Sequence, residues 1–173
     1  LSIDNPCGAA IVESGPCRET RIDEAVPAFR THTRSGDRFI SLEPDGTGDR
    51  SGDIQRAIDD MAGQGGGIVY LPAGTYTLEQ PLTIHPLVTL CGVSQAGHHT
   101  NSLGTVLYAR YGEGHEDGPA LIELEDDAVL SGLTVWYPGQ RTDSPVMYPW
   151  TVRACGRRTA VTNVNVAGAW KAF

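Results

Sequence analysis

Residues 122–127 read Ile-Glu-Leu-Glu-Asp-Asp and place four carboxylates in six positions. Glycoside hydrolysis needs two carboxyl groups across the scissile bond, roughly 5–9.5 Å apart depending on mechanism. Glu123 and Glu125 share a strand parity, so both can face solvent on one strand; Asp126 and Asp127 complete the set. The competing reading is an acid-rich, solvated turn. Elimination would instead need a base beside a uronate and a cation to stabilise the enolate. Arg153, Arg157 and Arg158 supply positive charge for that, or are plain surface residues. No catalytic residue is assigned. A second group is aromatic: Trp136, Tyr137, Tyr148 and Trp150 bracket a Pro/Gly-rich excursion. Flat side chains suit the apolar faces of sugar rings, and their polar tips bond hydroxyls. Tyr137, Gln140, Tyr148, Trp150 and Arg153 are therefore the candidate substrate-binding residues. The alternative is that these aromatics close one end of the fold.

Metal and phosphate chemistry are weakly represented. "DGTGDRSGD" (45–53) carries Asp45, Asp49 and Asp53 but lacks the alternation and terminal Glu of a calcium loop. His98-His99 and "GHED" (114–117) lack further ligands at zinc spacing. No metal or cofactor is expected, and calcium is not indicated. The glycines of "GQGGGIVYL" (63–71) follow a helical pattern and precede a strand. A phosphate-cradling loop has the opposite order, strand first and helix second.

These groups need a scaffold. In "SGDIQRAIDDMAG", Ile54, Ala57, Ile58 and Met61 form one apolar stripe, which predicts a helix over 51–62 with Ser51 as N-cap and Asp53 in the first turn. The glycines end it. From Gly67 the chain becomes short strands between turns. "LVTLCGVS" (87–94), "AVLSGLTV" (128–135) and "TAVTNVNV" (159–166) overlay, with Leu90, Leu130 and Val161 in register, and Cys91, Ser131 and Thr162 beside them. Upstream, Ile84, Leu124 and Cys155 align, which puts Arg153 level with Ile122. Recurrent short strands predict a solenoid. The expected fold is all-β, a single-stranded right-handed parallel β-helix with an N-terminal capping α-helix; an antiparallel sandwich is the rival.

The 173 residues suffice for one domain with a core, and the net charge is −8. That charge leaves no basic stripe for nucleic acid or an anionic membrane. Cys7 and Cys17 lie in a polar N-terminal arm and read as a small disulfide loop, hence a secreted or cell-surface protein. Cys91 and Cys155 read as buried, unbridged thiols.

Residues 45–92, with their Asp-Gly turn, Ile-Gln-x-Ala-Ile helix, Gly-Gly-Gly exit and Val-x-Leu-Pro-x-Gly-x-Tyr strand, resemble the N-terminal module of the pectate-lyase-like β-helix superfamily. Members act on polysaccharides as pectate lyases, polygalacturonases, β-1,3-glucanases, mannuronan epimerases and tailspike depolymerases. The resemblance implies architecture and substrate class, not reaction. The chain lacks the Asp-Pro-His-Glu stretch of the alginate epimerases and a polygalacturonase-type Asn-Thr-Asp. Residues 1–44 are read as an arm and 45–173 as the N-terminal part of a β-helix domain truncated at its C-terminal end. The expected function is extracellular polysaccharide processing, a glycoside hydrolase first and a polysaccharide lyase second. A non-catalytic fibre or adhesin, oligomeric or filamentous, is the alternative of another class.

Overall fold

A computed structural model describes residues 38–44, 48–94 and 103–173 of the chain. The expected Cys7–Cys17 bridge, most of the arm, His98-His99 and Asp45 lie outside the described residues. The helix α1 runs Ser51–Gly63. Ten strands follow or precede it: β1 Phe39–Ser41, β2 Gly67–Leu71, β3 Gly74–Leu78, β4 Leu82–Ile84, β5 Val88–Gly92, β6 Thr105–Ala109, β7 Ile122–Leu124, β8 Val129–Trp136, β9 Val152–Ala154 and β10 Ala160–Ala167. Among the described residues the first strand of the sheet is β1.

All pairs among the described strands are parallel, and the chain visits three ladders in a repeating order. The first runs β1-β2-β5 and on to the N-terminal halves of β8 and β10. The second runs β3-β6 and the C-terminal halves of β8 and β10. The third is β4-β7-β9. Parallel strands cannot be joined by a tight hairpin, so each return to a ladder takes a full circuit of the chain. Leu90 pairs with Leu130 and Leu130 with Val161, in the register read from the sequence. The expected parallel pairing of 128–135 on 87–94 and of 159–166 on 128–135 is present, and the antiparallel sandwich is excluded for these segments.

One register differs. Leu124 partners Ala154, not Cys155, and Arg153 lies beside Glu123, not Ile122. A slip of one residue turns every side chain to the other face of a strand. The true register sets apolar Val152 on Ile122 inside and charged Arg153 outside, which the slipped one would reverse. Cys155 consequently sits past the end of β9 and is exposed, contrary to the expectation of a buried thiol; Cys91 is half-buried, and both are free.

Inward positions stack apolar on apolar. Val69, Leu90 and Leu130 line the first ladder, Tyr76, Leu107 and Val135 the second, and Leu82, Ile122 and Val152 the third, all buried. The corner between the first two ladders in β8 is Gly132, with φ +68°, and a Cβ there would stand 2.7 Å from the Gly92 carbonyl oxygen. Asn163, φ 52°, takes the same place in β10, asparagine being among the few side chains that tolerate this region.

The helix shows its four expected stripe residues buried. Ser51 is not its cap. It is the first helical residue, and its hydroxyl accepts the Glu79 and Gln80 amides, each at 3.0 Å, while donating to Asp49. Asp53 stands in the first turn as expected, and it pairs with Arg50 and Arg56 at 3.4 and 3.1 Å. Glycine at 66 serves close approach and not a ligand: a Cβ would lie 2.6 Å from the Leu87 carbonyl oxygen of the next circuit. The first-circuit edges are each occupied. β1 pairs with β2. Asp49 bridges Thr77, and the Arg50 amide donates to the Thr77 carbonyl at 2.8 Å. The Gln55 side chain, on α1, accepts from the Thr83 amide at 2.9 Å and donates to its carbonyl at 3.1 Å, so one amide group stands in for a missing strand.

Gln55→Ala would leave both Thr83 backbone groups without that partner. An expected loss of about 1–3 kcal/mol follows, read as a lower urea midpoint at unchanged slope. Asp49 provides a pH test. Burial works to raise its carboxyl pKa, but hydrogen bonds from Ser51 and the Glu79 amide outweigh burial and hold it below the usual value. Its contribution is therefore complete above the unfolded pKa of about 3.9 and is lost as pH falls through the lower folded value. Asp49→Asn should be less stable than the parent at neutral pH, with the difference shrinking below that range in thermal melts.

Candidate functional site

The connections from the second ladder to the third run 110–121 and 137–151, and residues 168–173 follow β10 beside them. The Gln140 side chain fastens the long middle excursion: it accepts from the Val146 amide at 2.7 Å and donates to the Val146 carbonyl at 3.0 Å. Gln140 thus acts on its own loop. Tyr137 and Tyr148 are 2 % and 0 % exposed and meet edge to face at 4.7 Å. Their ring faces are spent on the core, as in the alternative reading of the aromatics. The Thr151 hydroxyl donates to the Lys171 carbonyl at 2.8 Å, so the Tyr137 hydroxyl donates to Thr151 at 2.7 Å. Burial pushes the Tyr137 phenol up to about 12. The Tyr148 phenol is also raised, by burial first and by the negative charge of Glu113 second, against the opposing effect of Arg110. Its hydroxyl is buried with no hydrogen-bond partner among the described residues. Tyr76, by contrast, is fully buried with its hydroxyl bonded to the Leu42 carbonyl at 2.8 Å.

Trp150 is the candidate aromatic that stays at the surface, 42 % exposed. Lys171 lies 5.9 Å from its ring centroid, near enough for a cation–π contact. Lys171 also pairs with Glu116 at 3.2 Å, and the Trp170 indole donates to the same carboxylate at 3.2 Å. The Trp170 hydrogen bond, followed by Lys171, holds the Glu116 carboxyl below its ordinary value. A groove of about 280 Å³ beside Trp150 is lined by Val152, Arg153, Ala154, Val161 and Phe173. Trp150 and Arg153 are therefore brought together at the groove, whereas Tyr137 and Tyr148 are buried in the core. Trp170, Lys171 and Glu116 were not singled out from sequence. Lys171 meets Trp150 through a parallel bridge between the two residues, a pairing that only the stacked circuits create.

The four acids of 122–127 are engaged one by one. Arg153 pairs with Glu123. Glu125 accepts His85 Nδ1 at 2.8 Å, and His85 Nε2 faces Asp59 at 3.2 Å. Asp126 accepts the Arg157 amide at 2.7 Å. Arg158 binds Asp127 through two nitrogens at 2.6 and 2.5 Å. Glu123 and Asp127 thus meet arginines of the next circuit, and Glu125 meets a histidine of the preceding one. Such solvent-exposed pairs are each worth only about 0–1 kcal/mol. Among the described residues, no three His, Cys, Asp or Glu side chains are placed to hold a metal ion. No described helix is long and apolar enough to cross a membrane.

Residues 40–111 match the family model described as rhamnogalacturonase A/epimerase, pectate lyase-like. No curated protein matches the chain, and no solved structure matches it. The matched stretch spans β1 to β6 with α1 and includes the Gln55 bond to Thr83 and the Gly66 approach. It stops before the excursion that carries Trp150.

The two buried tyrosines should respond oppositely to loss of the hydroxyl. Tyr137→Phe removes a made hydrogen bond and should cost about 1 kcal/mol, while Tyr148→Phe removes a buried group with no partner and should be neutral or stabilising. Paired denaturation curves read the difference.

Proposed function

We propose, taking the pectate-lyase-like module at residues 40–111 as the premise, that the chain is an extracellular, right-handed parallel β-helix that acts on polysaccharide as a glycoside-cleaving depolymerase. That match, on an all-parallel three-ladder chain, is the observation that carries the reading. A right-handed course is the general rule for parallel crossovers. The substrate-facing surface of this proposal is Trp150 with the Arg153 guanidinium beside it, Trp170 extending the aromatic area.

Hydrolysis is preferred to elimination on charge. A uronate polymer approaching a chain of net charge −8 is repelled unless local cations receive it. Of the three arginines read from sequence for that task, Arg153, Arg157 and Arg158, two are spent on Glu123 and Asp127: Arg153 and Arg158. The proposed substrate is therefore weakly charged or uncharged along the stretch that meets Trp150.

The test is incubation of the protein with a panel of neutral and acidic polysaccharides, following reducing ends and the unsaturated-uronate absorbance together. Reducing ends without absorbance are expected. Both rising together would replace hydrolysis by elimination. Neither signal on any polymer, with filaments in the electron microscope, would replace the enzyme by a structural fibre. Trp150→Ala should raise KM by roughly 2- to 12-fold, the equivalent of about 0.5–1.5 kcal/mol of ring contact, with kcat little changed. An unaltered KM would remove Trp150 from the binding surface.

A further inference from the structure

His85 follows β4 directly and stands between two carboxylates from other parts of the chain. Its Nδ1 is hydrogen-bonded at 2.8 Å to Glu125, in the turn after β7. Its Nε2 lies 3.2 Å from Oδ1 of Asp59, on α1. The same Asp59 oxygen accepts the Gln55 side-chain amide at 2.8 Å. That amide nitrogen also donates to the Thr83 carbonyl at 3.1 Å, while the Gln55 side-chain oxygen accepts the Thr83 amide at 2.9 Å. A continuous polar chain thus runs Glu125–His85–Asp59–Gln55–Thr83. It joins the helix to two successive strands of the third ladder.

This chain of contacts has a requirement in protons. An ionised carboxylate only accepts hydrogen bonds, and a neutral imidazole has one N–H and one lone pair. With a neutral ring, one nitrogen would turn its lone pair to a carboxylate oxygen at 2.8 or 3.2 Å. The imidazolium alone donates from both nitrogens and satisfies both contacts together. The other charges around the ring have partners elsewhere. Asp126 accepts the Arg157 amide, Asp127 takes Arg158 and Glu123 takes Arg153. On α1, Arg56 pairs with Asp53, and Asp60 is exposed to solvent. Among the described residues, Asp59 and Glu125 are the ion-pair partners of His85.

We propose that His85 is a proton-operated clamp that fastens α1 to the third ladder. Its imidazolium holds Asp59 and Glu125 together, and loss of one proton releases Asp59. Glu125 keeps its bond, because it has the shorter contact and the well-aligned one. Asp59 then faces a lone pair, and the Gln55 amide that it orients loses a partner. For ordinary groups, carboxylates are ionised and imidazole is cationic between about pH 4 and 6.5. The clamp is closed in that mildly acidic range and opens as pH rises through the titration of the ring. It is therefore a pH-sensitive device placed where the helix meets the stack, distinct from the surface around Trp150.

Hydrogen exchange of the full chain at about pH 5.5 and about pH 8 tests this, with rates expressed as protection factors so that the intrinsic pH dependence cancels. The reference is His85→Gln, whose amide can serve one carboxylate, as the neutral ring does. At the lower pH the α1 amides of the parent, Ile54 to Met61, should be about two- to five-fold better protected than those of the variant, the size expected of one partly exposed ion pair. At the higher pH the two should be alike. Asp59→Asn should abolish the acid-side gain as His85→Gln does, and Asp60→Asn, one residue along, should leave it intact. Equal protection at the lower pH, or a gain that survives Asp59→Asn, would overturn the clamp. Nitrogen-15 spectra of the unmodified protein give a readout that no variant has to fold for. Both His85 ring nitrogens should carry protons at about pH 5.5, and Nδ1 alone at about pH 8. A proton on Nε2 and not on Nδ1 at the higher pH would mean that Asp59 is the partner kept, and the proposed release would be wrong.

Discussion

In-register stacking of aliphatic side chains between circuits is the constraint on which the rest of the structure depends. A single circuit of this chain cannot bury its own inward residues, because each short strand has an apolar face and an unpaired edge. The next circuit supplies both the ladder hydrogen bonds and the apolar cover. Leu90 on Leu130 and Ile122 on Val152 are therefore not separate contacts but repeats of one solution. It also dictates what lies outside. Once the inward rows are aligned, Glu123 has no choice but to stand beside Arg153, and Glu125 beside His85. The outer ion pairs are consequences of the core register and small contributors to stability.

Stacking also demands closeness, and closeness explains residues that look like binding motifs. The glycines after α1 would suit a phosphate loop by composition. Gly66 instead admits the Leu87 carbonyl where a Cβ would collide. Gly132 does the same for the Gly92 carbonyl while turning the chain from one ladder to the next. A polar side chain can likewise act as backbone. Gln55 satisfies both groups of Thr83, so the helix closes a strand edge with one amide, and its apolar stripe covers the strands beneath.

The same economy separates scaffold from surface in the aromatic cluster. Tyr137 and Tyr148 pack edge to face under the long excursion, and Gln140 ties that excursion to itself. Trp150 and Trp170 remain at the surface, linked through Lys171 and Glu116. A loop built on buried tyrosines can hold an exposed indole at a fixed height, which an unsupported loop of that length could not.

Periodicity along the chain was enough to determine the helix at 51–62, the parallel stacking of three segments and their register in the first ladder, because the apolar pattern there has long, unambiguous runs. It was not enough for the third ladder. Its strands are three residues long, and an overlay anchored on Cys155 and not Ala154 looks equally good until Val152 must be buried and Arg153 must not. Nor could it sort Tyr148 from Trp150, since burial of a ring depends on which turns of neighbouring circuits lie over it, tens of residues away in sequence. The roles of Ser51 and Gln55 were hidden for the same reason: their partners, Glu79 and Thr83, come 28 residues later. Local pattern determines which residues can face inward. Tertiary structure alone decides which polar and aromatic groups meet, because those meetings are set by the stacking of distant circuits.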